Sequence, residues 1–192
     1  MHDSLYAFVL RGELTKIALA RAGVVSKHSL ADTISEEDIR CISLDLLDDG
    51  FVDQSKQMAA IYIAISAFEN MVRRFIVKTM IEYKGENWWS DNVSERIQRF
   101  AQTRKSEEEK IRWHAQRGDA LVNYIEFGDL ATIMQQNLEQ FEVHIISIEW
   151  ARQIFSTLER SRNVIMHSGT LERKDIERIG TNIRDWISQV GV

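Results

Sequence analysis

The chain has 192 residues, 44% of them hydrophobic and 28% charged, with five Trp, nine Gly, one Cys and no Pro. A chain of this length buries roughly 70% of the surface its unfolded form exposes, which excludes a mini-protein scaffold and allows one domain, or one domain with an appendage. The formal charge of −5 argues against a wholesale polyanion binder, and it is unevenly spread: residues 1–70 carry 6 Lys and Arg against 11 Asp and Glu, residues 71–192 carry 18 of each.

Average usage would place about ten prolines here, and their absence favours helices throughout. Cys41 alone can form no intrachain disulfide and fits a reducing compartment. The opening Met1-His2-Asp3-Ser4 lacks the basic start of a signal peptide. The longest nearly apolar stretch, 58–68, is shorter than the about 20 residues that span a bilayer. The expected location is cytoplasmic and the expected state soluble, without a membrane partner.

In chain order, Ser35 followed by Glu36, Glu37 and Asp38 reads as a helix N-cap with first-turn acids, and Gly50 as its terminator. Residues 1–50 are expected to form an acidic helical extension packed on the rest, using Ile39, Ile42 and Leu46 and leaving the acids between Asp32 and Asp53 in water. From Asp53 to Lys84, Met58, Ile61, Ile65, Phe68, Val72, Phe75, Ile76 and Met80 recur at three and four, predicting one long helix ended by Gly85. On it, Glu69 and Arg73 stand four apart, as do Asn70 and Arg74, a spacing that ordinarily does no more than support a helix.

Trp88-Trp89 is expected in a loop, as plugs between helices more than as a stacking platform. Ser106 and Glu109 have capping-box spacing and predict a charged helix closed by Gly118, with His114 on it. Asp129 is expected to cap a helix running to about Glu139. A further helix from Ser147 to His167 turns Trp150, Ile154, Leu158 and Ile165 inward and stops at Ser168-Gly169. The last carries Leu171, Ile176, Ile179, Ile183, Trp186 and Ile187 at helical spacing. No period-2 run bounded by turns occurs, so the fold class is all-α, a helical bundle with one long central helix comprising residues 51–192.

Chemistry is sparse. The five His and lone Cys show no metal-ligand spacing, and no Walker loop, dinucleotide loop or nucleophile elbow is present. No metal and no cofactor are expected. His144, within Val143-His144-Ile145-Ile146, reads as a packed residue. His167 differs, because it stands at a helix C-terminus, where the dipole attracts positive charge, after Arg160-Ser161-Arg162-Asn163. Asn163 lies one turn before His167, with Arg160 on the same side, whereas Arg162 lies about 140° away on an ideal helix. Bringing Arg162 to His167 needs a frayed last turn or a second chain. On spacing alone, an ordinary exposed helix end is the simpler reading.

The run Arg162-Asn163-Val164-Ile165-Met166-His167 resembles the Arg-x4-6-His signature of the HEPN superfamily, helical bundles that are often metal-independent endoribonucleases. The segments 68–76, Trp88-Trp89 and 124–130 resemble the branch found in a nuclear-pore-associated RNA quality-control endonuclease and in bacterial defence proteins. The likeness covers roughly residues 58–189. It implies Arg162 and His167 as the catalytic pair, Asn163 as their supporter, and Glu69 and Arg73 facing them from the long helix. Arg160 and Arg173 are the expected RNA contacts. RNA brings its own nucleophile, the 2′-OH, so a base and a fixed cation suffice. His suits the first role and Arg the second. The resemblance thus implies cleavage of RNA, not DNA, to 2′,3′-cyclic phosphate and 5′-OH ends. It further implies a homodimer with a shared groove, and a toxin or antiviral defence effector with an antitoxin or defence-system partner. Relatives in toxin–antitoxin pairs carry Tyr two residues after the His. Gly169 stands there, so modification at that position is not expected. The alternatives are a HEPN-like module without activity that binds RNA, a nucleotide or a protein partner, and a plain oligomerisation or adaptor domain.

Overall fold

A computed structural model describes residues 35–191, and the chain divides into two compact units, residues 1–52 and 53–192. The opening tetrapeptide and Asp32 lie outside the described residues. In the first unit, α1 (Glu36–Cys41) begins at a capping box: the Ser35 hydroxyl accepts from the Asp38 amide, and the Asp38 carboxylate accepts from the Ser35 amide. The helix does not continue to Gly50. Ser43 enters the left-handed region at φ 54°, a single 3-10 turn follows at Leu44–Leu46, and Gly50 instead lies in the first turn of the next helix. Asp48 starts that helix, its Oδ1 accepting from the amides of Gly50 and Phe51.

Helix α2 (Asp49–Lys84) has 36 residues, about 54 Å at 1.5 Å per residue. All eight apolar positions of its predicted stripe are buried. Gly85, at φ 78°, ends it. Trp88 and Trp89 open a short helix, α3 (Trp88–Asn92), rather than sitting in a loop; Trp88 is buried and meets Trp89 edge-on at 5.4 Å.

Helix α4 (Glu95–Glu109) overrides the expected start at Ser106. Buried Ile97 and Ala101 pin its inner face, and Ser106 and its acids form only its last turn. Residues 110–120 are consequently turns, which places His114 in a loop, with Gly118 at φ 103°. A 3-10 turn (Leu121–Tyr124) leads to α5 (Phe127–Gln136). Glu126, not Asp129, is its N-cap residue; Asp129 lies in the first turn and pairs with Arg96 at 3.1 Å. Helix α5 stops at Asn137, and a four-residue helix, α6 (Leu138–Phe141), follows.

Helix α7 (Ile148–Met166) starts at Ser147, whose hydroxyl accepts from the Trp150 amide at 3.1 Å. Helix α8 (Arg173–Val190) completes the described chain. Its Trp186 is wholly buried, in ring contact with Phe68 and Phe75 of α2 and Trp150 and Phe155 of α7; Ile187, expected inside, is exposed. Phe127 joins the aromatic centre through Phe68 at 6.2 Å and Phe155 at 5.5 Å. Among the described residues no strand is present, so the fold is all-α, and no helix is long and apolar enough to cross a membrane.

Candidate active site

Arg162 stands on the inward stripe of α7, four residues after buried Leu158, which turns a guanidinium toward the core. Three groups receive it. Its Nη1 meets Glu69 of α2 at 2.9 Å to Oε2 and 3.2 Å to Oε1, and its Nη2 lies 3.9 Å from Glu159. Its Cζ also sits 5.9 Å from the centre of the Phe127 ring, the polar end of the aromatic core. Only 16% of the Arg162 side chain and 11% of the Glu69 side chain reach solvent. Arg162 is therefore largely buried, and it is Glu69 that holds it there.

Glu69 serves a second cation. Arg73, one turn further along α2, donates from Nη2 to Glu69 Oε1 and to the Ile125 carbonyl at 2.7 Å. Burial lowers the Arg73 pKa from its ordinary value; Glu69 opposes that shift, and Arg162 and Arg117 add to it. Arg73 Nη1 and Arg162 Nε are buried without a hydrogen-bond partner among the described residues. One carboxylate therefore anchors two guanidiniums, with Glu159 a second, more distant counter-charge to Arg162. Burial, followed by the field of Glu126, pushes the Glu159 carboxyl pKa up, against the pull of Arg162. Beside Arg73 opens a polar cavity of about 280 Å³, lined by Ser66, Glu69, Asn70, Arg73, Arg117 and Asn123.

His167 belongs to a different environment. It is the C-cap of α7, exposed, and its side chain has no hydrogen-bond partner among the described residues. The turn beyond it is a Schellman motif: the Gly169 amide donates to Val164 O at 2.8 Å and the Ser168 amide to Ile165 O at 3.0 Å. The left-handed position is Ser168, φ 59°, not the glycine. Gly169 is required for another reason, since a Cβ there would stand 2.7 Å from Val164 Cγ1 and 2.9 Å from Val164 O. A side chain at 169, Tyr included, cannot enter this turn unless the backbone shifts. The turn is tied to α2 through Gln54 Nε2 donating to Thr170 Oγ1 at 2.5 Å and the Leu171 amide donating to Met58 Sδ at 3.4 Å.

The structure thus brings Glu69, Arg73 and Arg162 together, and among the described residues no hydrogen bond joins Arg162 to His167. Asn163 is exposed, and it meets His167 only through the helix, its carbonyl accepting from the His167 amide at 3.1 Å. Arg160 is exposed without a partner among the described residues, and Arg173 is exposed in an ion pair with Glu177 at 2.8 Å. His144 packs edge-on to Phe75 at 5.6 Å. Among the described residues no group of three or more His, Cys, Asp or Glu could hold a metal ion. Glu159, Phe127 and Arg117 were not singled out from the sequence. The spacing Glu159-x-x-Arg162 was the one available signal for the first; the other two reach the site only through the fold.

A family model described as Swt1-like HEPN matches residues 64–191, two thirds of the chain, from just before Glu69 to the end of α8. The chain belongs to the Swt1-like HEPN family. The matched span contains every residue of the Arg162 cluster and the His167 turn, and the HEPN domain is all-α, in accord with the helices described. The chain thus carries a HEPN module of the nuclease type. No curated protein and no solved structure matches it.

Proposed function

We propose that this HEPN chain is a metal-independent endoribonuclease, with Arg162 and His167 as its catalytic residues. The observation that carries the reading is their division of environment on one helix. Arg162 is held in place by Glu69, Glu159 and the Phe127 ring, as a preorganised cation must be, and His167 is free at an exposed turn, as a proton carrier must be. In the reaction the RNA 2′-oxygen attacks phosphorus and its proton passes to His167. The bond from phosphorus to the 5′-oxygen breaks, and that oxygen leaves protonated by solvent or by the imidazolium of a second copy. The products are a 2′,3′-cyclic phosphate and a 5′-OH. Asn163 and Arg160, exposed near His167 in sequence, are the proposed contacts to RNA there, with Arg173 beyond the turn.

Because one chain does not join Arg162 to His167, the site is proposed to be completed in a twofold dimer through the α7 ends, where Val164 and Met166 are exposed beside His167. Mixing inactive Arg162→Ala chains with inactive His167→Ala chains should restore cutting after verified subunit exchange. Lack of rescue would refute sharing. A cytoplasmic toxin or antiviral role, with an antitoxin or defence-system partner, is the biological setting proposed for such an activity. Residues 1–34 of the expected acidic extension lie outside the described residues.

Labelled RNA and the DNA of the same sequence, incubated with the protein in EDTA, test the reading. RNA should be cut to cyclic-phosphate ends and DNA left whole. Cleavage that stops in EDTA and returns with magnesium would overturn it. The ion pairing of Arg162 with Glu69 favours one second reading, an inactive module that binds RNA, a nucleotide or a protein without cutting, because a guanidinium already paired has less to offer a phosphate. RNA bound but never cut would select it.

A further inference from the structure

Of the five tryptophans, Trp88 and Trp186 are buried, Trp89 and Trp150 are half-buried, and Trp113 is 86% exposed. Leaving an indole in water forgoes one of the largest burial energies available to a fold, so the position calls for a partner. Its surroundings say which. Residues 111–120 are exposed without exception, and the run Lys110-Ile111-Arg112-Trp113-His114-Ala115-Gln116-Arg117-Gly118 contains three cations and no acid. Lys110 and Arg112 make no ion pair among the described residues.

The loop is closed at its base. Glu108, in the last turn of α4, accepts from the Arg117 amide at 3.2 Å and pairs with the Arg117 Nε at 2.8 Å; Asn123 Nδ2 donates to the Arg117 carbonyl at 3.0 Å. At its tip the His114 amide donates to Ile111 O at 3.2 Å, and the His114 ring, with Nδ1 2.9 Å from the Ala115 carbonyl, meets Trp113 at 5.5 Å and 81°. That perpendicular contact props the indole without stacking on it. Exposed Phe100 offers a contrast, since the Arg104 guanidinium lies over its ring at 5.3 Å. The far end of the loop leads to the site, because Arg117 lines the polar cavity with Arg73.

We propose that the 110–118 loop captures single-stranded RNA, stacking a base on Trp113 and setting Lys110 and Arg112 on the flanking phosphates. A stacking face and unpaired cations, with no acid between them, match a strand of bases and phosphates. An acidic protein surface would use the cations alone, and duplex RNA, its bases already stacked, would use only the phosphate contacts. The choice of RNA rests on the ribonuclease reading above; the capture role itself is independent of whether the strand is cut.

The test is fluorescence anisotropy of the full chain with a labelled 2′-O-methyl single strand, which has no 2′-OH to attack. Trp113→Ala should raise Kd about tenfold, Trp113→Tyr should stay within about threefold of the native chain, and Lys110→Gln with Arg112→Gln should reduce the salt slope by about 1.4. Binding to the duplex of the same sequence should be unaffected by Trp113→Ala, and circular dichroism should be unchanged for so exposed a residue. A Kd unaltered by Trp113→Ala, an equal loss on the duplex, or no binding of the single strand by the native chain would each overturn the proposal. A native chain that cuts RNA while Trp113→Ala binds normally sinks the capture role alone. Binding through Trp113 without cutting of ordinary RNA sinks the ribonuclease reading alone.

Discussion

Arg162 and His167 stand five positions apart on one helix, yet one lies against the core and the other in water. Arg162 is gripped by Glu69 and Glu159 over an aromatic floor; His167 caps the helix with no side-chain partner among the described residues. The helix itself explains the contrast, since five residues turn the chain through about 140° beyond a full circle. A charge in a low-dielectric site must be paired to be tolerated, and once paired it cannot reorganise. An imidazole that is to take and release a proton needs the reverse. What the pair teaches is that a two-residue motif can span two physical regimes, so its members answer differently to the same substitution.

Glu69→Ala should have the largest effect. It strands two largely buried guanidiniums, and urea unfolding should show a loss of about 3 kcal/mol or more; an unchanged midpoint would mean that the cluster does not hold the fold. Arg162→Ala should follow, with a loss of about 2 kcal/mol as Glu69 keeps Arg73, whereas His167→Ala should stay within about 0.5 kcal/mol. Equal stabilities for those two variants would erase the comparison. Both should abolish RNA cutting, which separates their shared chemistry from their unequal structural roles.

The turn behind His167 offers a smaller test. Gly169→Ala drives a Cβ into Val164 and should destabilise by about 1–2 kcal/mol. Ser168→Gly, relieving a left-handed serine, should stabilise by up to about 1 kcal/mol. Opposite signs at adjacent positions, read by thermal unfolding, would confirm the assignment of the turn.

Glu159→Gln should have a small effect that depends on pH. A carboxyl that holds its proton more tightly folded than unfolded contributes stability below its unfolded pKa, near 4.5, and loses that contribution as pH rises through the raised folded value. The glutamine variant should therefore gain in Tm on the native chain as pH climbs from about 4 toward neutrality. A flat difference across that range would mean that Glu159 is not destabilised by its surroundings.

Much of the architecture was legible because helical periodicity is local. The stripe on α2, the Ser35 and Ser147 caps and the stop at Gly85 each depend on residues within a turn or two of one another. Where two local signals competed, the sequence misled. Ser106 has the spacing of a cap, but Ile97 and Ala101 are buried and carry α4 through it; Gly50 looks like a terminator, but Asp48 starts a new helix around it.

By itself, then, the sequence determined an all-helical chain, its long central helix and the motif ending in His167, since these follow from backbone propensity, apolar spacing and residue identity. Tertiary structure alone decided that Glu69, 93 positions before Arg162, holds it 2.9 Å away, that Phe127 floors the guanidinium, and that Trp113 remains in water. The reason is physical: a charged side chain near a core takes whichever counter-charge the packing of other helices delivers, and no spacing rule along one helix encodes that delivery.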